Sequence, residues 1–212
     1  MKEQLIIIGA SGHGKVVADI AEKLNHWKSI YFLDDNASIN TNMGYKVIGK
    51  TSDFLNHLDI SDFFVAIGDN KIRQQVQEEI IKAKGSIISL IHPKATIGSD
   101  VTIGSGTAIM AGVVINPDTS IGSGCIINTS VSLDHDNTIK DYVHISPGAH
   151  LAGTVSIGER TWIGMGASII NNVSITNDTI IGAGALVLRD INETGTYVGI
   201  PIRKLNGVNL KK

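Results

Sequence analysis

An aliphatic residue recurs at every sixth position from Ile97 to Val187, sixteen times without interruption. A hexapeptide period of this length is typical of a parallel β-solenoid, in which each unit supplies one short strand and one turn. Three units close a triangular coil of roughly eighteen residues, and stacked coils bond to each other while the aliphatic column fills the interior. The repeat therefore predicts an all-β domain of roughly five coils.

The first 90 residues have a different pattern, in which short apolar runs alternate with helical periodicity. The apolar runs lie at 5–8, 30–33, 63–67 and 87–90, and the helical segments at 14–26 and 70–84. Such alternation predicts a small parallel α/β sheet. We therefore predict two domains, an α/β domain over 1–90 and a solenoid over 91–212 that ends in a C-terminal cap.

The segment from Gly9 to Lys15, GASGHGK, matches the phosphate-loop pattern G-x-x-x-x-G-K. That loop needs Ser or Thr after the lysine to bind magnesium, and this chain has Val16, so an ATPase is disfavoured. The glycine spacing also departs from the dinucleotide fingerprint. A strand, a glycine turn and a helix start remain, and together they present backbone N–H groups to an anion. The segment predicts a site for a phosphorylated ligand.

Two further strand ends carry polar residues, Asp34-Asp35 and Gly68-Asp69-Asn70. Ligands of parallel α/β sheets bind at the carboxyl ends of the strands, where these segments would converge. Asp34 and Asp35 could hold ribose or sugar hydroxyls. The sequence Asp34-Asp35-Asn36 is also typical of a simple turn, and both interpretations stay open.

Composition excludes several classes of protein. The net charge of −2 gives no basic field for nucleic acid. The single cysteine, Cys125, excludes an intrachain disulfide and suits the cytoplasm. We expect no signal peptide and no membrane span, because no apolar stretch is long enough. We also expect no metal site, since no histidine–carboxylate cluster has the spacing of metal ligands.

His135, flanked by Asp134 and Asp136, is the candidate general base. Imidazole suits proton abstraction near neutral pH, and a carboxylate bound to one ring nitrogen raises the basicity of the other. Neighbours on a strand point to opposite faces, so a contact with Asp136 needs a corner conformation or a neighbouring subunit. His144 lies nine residues on, half a coil away, and therefore on another face. The two histidines would meet most simply across a subunit interface.

The repeat array, with GASGHGKVVADIAE at 9–22, FLDD at 32–35, AIGDN at 66–70 and GTYVGIPIRKL at 195–205, resembles a family of bacterial sugar acetyltransferases. These enzymes have a Rossmann-like α/β domain followed by a left-handed parallel β-helix. The chain is most similar to the UDP-4-amino-sugar N-acetyltransferases of bacillosamine biosynthesis, to which sialic acid O-acetyltransferases are related. The resemblance implies acetyl-CoA as donor, a nucleotide sugar as acceptor, and a homotrimer with its active sites between subunits.

The resemblance also implies roles for individual residues. The catalytic pair falls on His135 and Asp136, where the family has Glu at the second position. The residues implied for acetyl-CoA are His144, Gly153, Met165 and Ala183. Those implied for the sugar nucleotide are Ser11, Gly12, His13, Asp34, Asp35, Gly68 and Asn128.

Several alternatives stay open at this point. His13 is either a ligand contact or a helix-start residue, and His150 could line the same region as His144. The leading function is transfer of acetyl to the 4-amino group of a UDP-linked sugar in surface glycan, exopolysaccharide or glycoprotein biosynthesis. O-acetylation of sialic acid or another capsule sugar is the alternative, and a non-catalytic scaffold that binds a nucleotide sugar is a third.

Overall fold

The computed structural model describes residues 2–205. Its N-terminal part contains strands β1 (Gln4–Ile8), β2 (Ser29–Leu33), β3 (Thr41–Asn42), β4 (Tyr45–Lys46), β5 (Ser61–Val65) and β6 (Ser86–Ile87). Helix α1 (Gly12–Leu24) follows β1, a 3₁₀ helix (Thr51–His57) precedes β5, and helix α2 (Asn70–Lys82) follows it. Strands β2, β1, β5 and β6 form a parallel sheet in that order, and β3 and β4 form an antiparallel hairpin. The predicted α/β domain is confirmed.

The solenoid consists of two-residue strands that follow one another every six residues, from β7 (Leu90–Ile91) to β23 (Leu186–Val187). Parallel pairing joins residues eighteen apart, as in Ile109 with Ile127. Face 1 consists of β7 (Leu90–Ile91), β10 (Ala108–Ile109), β13 (Ile126–Ile127), β16 (His144–Ile145), β19 (Trp162–Ile163) and β22 (Ile180–Ile181). Face 2 consists of β8 (Thr96–Ile97), β11 (Val114–Ile115), β14 (Ser132–Leu133), β17 (His150–Leu151), β20 (Ser168–Ile169) and β23 (Leu186–Val187). Face 3 consists of β9 (Thr102–Ile103), β12 (Ser120–Ile121), β15 (Thr138–Ile139), β18 (Ser156–Ile157) and β21 (Ser174–Ile175). The inward aliphatic side chains from Ile109 to Val187 are at most 3% exposed.

The predicted solenoid is confirmed, with about six coils. The apolar run at 87–90 is not one strand, as the sequence suggested. It is divided between β6, which completes the α/β sheet, and β7, which begins the solenoid one repeat before Ile97. Ile91 lies six residues before Ile97, so the sequence period already includes the first strand of the solenoid. The left-handed sense of the helix stays a prediction of the resemblance.

Face 1 carries the α/β domain. The outward side chains of its first three strands, Leu90, Ala108 and Ile126, are at most 1% exposed and share one apolar core with α1 and the sheet. Further along the same face, the outward residues of the next strands are His144, Trp162 and Ile180. The covered part of face 1 thus ends at the strand that carries His144.

A short cap follows the last coil. Strand β24 (Thr196–Val198) pairs in parallel with β22, and β25 (Arg203–Lys204) pairs antiparallel with β24. The capping predicted for the C-terminal part is therefore present up to residue 205. Within residues 2–205, no helix combines the length and the apolar character needed to span a membrane.

Candidate active site

A cavity of about 450 Å³ lies where the α/β domain meets face 1 of the solenoid. One wall is the loop after β5 and the first turn of α2, and the other is the outward surface of three successive coils. The lining residues are Gly68, Asp69, Asn70, Lys71, His144, Arg160, Trp162, Asp178 and Ile180. The predicted contact residues Gly68 and His144 therefore face the same space from different domains.

His144 is held by two neighbours. Its Nε2 lies 3.3 Å from Asn128 Nδ2, and its ring stacks on Trp162 with 6.0 Å between the ring centroids. The Asn128 amide oxygen accepts the Thr129 N–H at 2.8 Å, which leaves the amide nitrogen to donate to the imidazole. Burial, the positive charge of Arg73 and the nearby His13 lower the pKa of His144 to about 3. A neutral His144 that accepts through Nε2 carries its proton on Nδ1.

His13 lies in the first turn of α1, and its Nε2 is buried without a hydrogen-bond partner among the described residues. Burial and then the charge of Arg73 lower its pKa to about 4, so it too is neutral at neutral pH. The structure thus places His13 both at a helix start and in the electrostatic surroundings of His144. Its role in binding substrate stays a prediction.

His135 lies at the corner between faces 2 and 3, and 64% of its side chain is exposed. Its Nδ1 is 2.7 Å from Oδ2 of Asp136. The backbone of Asp136 has φ of 60°, in the left-handed region, and this corner turns two consecutive side chains towards each other. The corner conformation proposed from the sequence is therefore the one observed.

Gly153 lies one coil above His135 and has a steric reason to be glycine. A Cβ at this position would be 2.6 Å from Cε1 and 2.7 Å from Nε2 of the His135 ring. The ring therefore rests against the backbone of the next coil. Sequence reasoning assigned Gly153 to acetyl-CoA and missed this contact, although the separation of eighteen residues from His135 was a visible signal.

The predicted acetyl-CoA residues do not gather in one chain. His144 is on face 1, and Gly153 is at the corner between faces 2 and 3. Met165 and Ala183 both lie at the corner between faces 1 and 2. Met165 is 61% exposed. His135 and His144 lie on different parts of the prism, as their spacing predicted. Within one chain, the residues predicted to bind acetyl-CoA therefore lie on separate parts of the solenoid.

His150 occupies a third position. It lies on face 2, where its Nδ1 is 2.8 Å from Ser132 Oγ. It lines a shallow depression there rather than the cavity at His144. Within one chain the side chains of His150 and His144 project from different faces, and a place for His150 in the same region as His144 stays a prediction.

A second hollow, of about 530 Å³, lies beside the glycine loop. Ser11 and Gly12 line one side, and the β3–β4 hairpin forms the other. Their contact with the sugar nucleotide stays a prediction. Asn42 of the hairpin donates from Nδ2 to the Ala10 carbonyl at 2.8 Å and to the Ser11 carbonyl at 3.2 Å. Sequence reasoning missed this hairpin, whose signal was Gly44 in its turn.

Asp34 and Asp35 hold loops together. Asp34 accepts the Ala10 N–H at 2.6 Å through one oxygen and the Asn36 N–H at 2.8 Å through the other. Asp35 accepts the Thr51 N–H at 2.9 Å. These contacts are those expected of the turn interpretation, and they fix the glycine loop to the end of β2. Contact of the two carboxylates with a ligand stays a prediction.

The residues that could hold a metal ion do not cluster. Among residues 2–205, no group of three His, Cys, Asp or Glu side chains is arranged to bind one.

Comparison with known proteins shows which family has this two-domain architecture. Residues 4–80 match the family model of the PglD N-terminal domain, and residues 154–189 match the bacterial transferase hexapeptide model. The acetyltransferase domain of PglB from Neisseria gonorrhoeae FA1090, solved in complex with acetyl coenzyme A, has a TM-score of 0.93 and 39% identity to this chain. The match covers 97% of this chain and 100% of that one. The chain belongs to the hexapeptide-repeat acetyltransferases with a PglD N-terminal domain.

Two other members of the family differ in their nucleotide. A mutant of perosamine N-acetyltransferase from Caulobacter crescentus, in complex with CoA and GDP-perosamine, has a TM-score of 0.92 and 35% identity, covering 96% of this chain and 97% of that one. UDP-N-acetylbacillosamine N-acetyltransferase of Bacillus subtilis (strain 168) is 39% identical over 115 residues, which are 51% of this chain and 52% of that protein. The match thus spans about half the length of the curated relative.

Proposed function

We propose that this protein transfers the acetyl group of acetyl-CoA to the 4-amino group of a UDP-linked amino-sugar. The observation that carries the proposal is the His135–Asp136 pair, held at a solenoid corner with Nδ1 bound to the carboxylate. Among residues 2–205, no hydrogen-bond partner lies at Nε2 of His135. An amine that attacks a thioester must lose a proton, and a positioned imidazole accepts it. In this scheme Nε2 takes the proton, the new amide bond forms, and CoA leaves as its thiol.

Residues 1–90 hold the nucleotide sugar in this proposal, and residues 91–212 provide the acyltransferase machinery. Ser11, Gly12 and the anion-binding end of α1 face the hollow beside the β3–β4 hairpin. His144, kept neutral and bound to Asn128, offers a hydrogen bond to the acetyl group of acetyl-CoA. Named relatives use UDP-linked and GDP-linked amino-sugars, so the choice of UDP is part of the proposal.

The assembly we propose is a homotrimer. His135 and His144 lie on different parts of the prism, and three chains around one axis would bring the corner of one against face 1 of the next. We place the reaction in the cytoplasm, in keeping with the single unpaired and buried Cys125. The product would serve surface glycan, exopolysaccharide or glycoprotein biosynthesis.

The test is a thiol-release assay with acetyl-CoA and, in parallel, a UDP-4-amino-sugar, its GDP-linked counterpart and sialic acid. We expect turnover of the UDP-linked amine, and a fall of at least about 100-fold in kcat for His135→Ala. His150→Ala is the matched control, because it removes an exposed imidazole from face 2. Its kcat should match that of the wild type.

The same assay identifies the other outcomes. Turnover with the GDP-linked amine alone would correct the nucleotide, and turnover with sialic acid alone would move the function to O-acetylation. No turnover with any acceptor, or equal activity in His135→Ala and wild type, would contradict the proposal.

A further inference from the structure

Arg73 is a fully buried cation at the junction between the two parts of the molecule. It projects from α2, and none of its surface is exposed. Among residues 2–205 it donates five hydrogen bonds, to the carbonyls of Ile67, Gly68, Gly124 and Tyr142 and to the side-chain oxygen of Asn70. Burial lowers its pKa to about 10, so the side chain stays protonated at neutral pH. The carboxylate of Asp69 opposes part of this lowering, and the N–H groups of the buried charge satisfy carbonyl oxygens of both domains.

The contacts to the solenoid follow its repeat. Arg73 Nε donates to the carbonyl of Gly124 at 2.7 Å, and Nη2 donates to that of Tyr142 at 2.9 Å. Asn70 Nδ2 donates to the carbonyl of Arg160 at 2.9 Å. These three acceptors are eighteen residues apart and stack at one corner in successive coils. We call Arg73 and Asn70 the clamp, since together they bond to the carbonyls of three consecutive coils at that corner.

The clamp also holds one wall of the cavity. Arg73 Nη1 donates to the carbonyls of Ile67 at 2.9 Å and Gly68 at 3.2 Å, in the loop after β5. Gly68 and Asn70 line the cavity opposite His144. The same guanidinium therefore bonds to the wall on one side and, on the other, to the coil that carries His144 and the coil before it.

We propose that Arg73, acting with Asn70, is a positioning residue for acetyl transfer, because it fixes the Gly68–Lys71 wall at one height on the solenoid relative to His144. This inference rests on the proposed function, in which the wall contacts the nucleotide sugar and His144 contacts acetyl-CoA. A shift of the wall by one ångström would leave each binding surface intact and spoil the distance between the reacting groups.

Two variants and a matched control test the clamp. Arg73→Lys keeps the positive charge but loses the planar guanidinium that donates several hydrogen bonds at once. Asn70→Ala removes the hydrogen bond to the Arg160 carbonyl. Gln77→Ala is the control: Gln77 is equally buried on α2 and donates from Nε2 to the Ser105 carbonyl at 3.2 Å, but it does not line the cavity. All three variants remove a bond between α2 and the solenoid, and only the first two release the wall.

We expect kcat per acetyl-CoA-binding site to fall roughly 10- to 100-fold in Arg73→Lys and in Asn70→Ala, with both KM values nearly unchanged. Counting sites by acetyl-CoA titration removes the contribution of unfolded protein. Gln77→Ala should keep the wild-type kcat on this scale. Equal losses in Gln77→Ala and Arg73→Lys would reduce Arg73 to a docking residue and overturn the proposal.

Two readouts do not depend on turnover. Amide hydrogen exchange at residues 67–71 should accelerate in both clamp variants and stay at the wild-type rate in Gln77→Ala. In NMR titrations, the pKa values of His13 and His144 should rise in Arg73→Met, which loses the charge, and stay low in Arg73→Lys. The other charged groups of the cavity, Asp69, Lys71, Arg160 and Asp178, are the same in all these proteins.

Failure of the clamp and failure of the proposed function are distinguishable. A wild type that acetylates none of the acceptors would remove the proposed function, and hydrogen exchange at 67–71 would then decide whether the clamp holds the wall. Unchanged exchange in both clamp variants would overturn the clamp. An active wild type with clamp variants of normal kcat would overturn it as well.

Discussion

His135 is oriented by two residues, Asp136 and Gly153, that do not themselves accept the proton in the reaction as proposed. The left-handed backbone at Asp136 turns its carboxylate towards Nδ1, and the absent side chain at Gly153 leaves room for the ring. Both features come from the corner geometry of the solenoid. The orientation of an exposed imidazole is therefore set by backbone shape rather than by burial.

Gly153→Ala should lower kcat roughly tenfold or more, because the added methyl would push the His135 ring away from its position. The ring is exposed and can swing into solvent, so we expect little change in Tm. The measurement is kcat with Tm for both single variants and the double variant. In the His135→Ala background, the glycine substitution should have no further effect on kcat. Additive losses would contradict the contact.

His144 should make stability sensitive to acid. An unfolded histidine binds a proton near pH 6.5, whereas His144 in the fold has a pKa of about 3. Between these values the unfolded chain binds more protons, so the free energy of unfolding falls as pH falls through this window. Urea unfolding at about pH 7 and about pH 4 should show a smaller loss in His144→Gln than in the wild type. Equal losses would place the neutral state of His144 in doubt.

At the scale of elements, α2 shows why its docking escaped sequence reasoning. Its buried stripe contains Arg73, Val76, Gln77 and Ile80 at helical spacing. Two of these four are polar, so the pattern predicts a helix but does not show that the face with Arg73 and Gln77 is buried. Polar side chains face the solenoid here because the corners present backbone carbonyls rather than an apolar surface.

The first turn of α2 carries its own prediction. Asp69 caps the helix by accepting the N–H groups of Lys71 at 3.0 Å and Ile72 at 3.2 Å. Asp69→Ala should lower the free energy of unfolding by about 1 kcal/mol. Urea unfolding measures it, and Asp69→Ser, which can still accept these bonds, is the control. A loss of the same size in both variants would argue that capping is not the cause.

The sequence predicted the solenoid well and the junction poorly, for a physical reason. Each coil places an aliphatic side chain at the same inward positions, as with the paired residues Ile109 and Ile127. The sequence signal for the solenoid therefore becomes stronger with every added repeat. The β3–β4 hairpin has strands of two residues, too short to show alternation. Contacts such as Asn42 with the glycine loop join segments about thirty residues apart, and no local pattern records them.

The candidate site divides in the same way. The corner contact of His135 with Asp136 follows from adjacent residues and was foreseen. The cavity beside His144 depends on how α2 docks, and its residues Arg160 and Asp178 were not foreseen. They form a two-pronged ion pair with N–O distances of 2.9 and 2.8 Å, visible only as a spacing of eighteen.

At the scale of the whole molecule, the proposed homotrimer, with each active site shared between two chains, makes a quantitative prediction. His135→Ala and His144→Ala proteins should each be inactive alone. Unfolded together in equal amounts and refolded, they should form mixed trimers in which about a quarter of the interfaces pair an intact His135 with an intact His144. Activity of the mixture, with mass measured by light scattering, is the readout. A mixture that forms folded trimers but has no acetyltransferase activity would contradict the shared site.

The eighteen-residue period also limits how such a chain can change its length during evolution. Inserting a single hexapeptide between Gly124 and Arg160 would rotate every later residue onto the next face and separate the three carbonyls held by Arg73 and Asn70. Inserting eighteen would keep the faces and still move Arg160 out of reach by one coil. An eighteen-residue insertion after Ile180, the last residue that lines the cavity, would leave the cavity wall, His135 and His144 in their present coils.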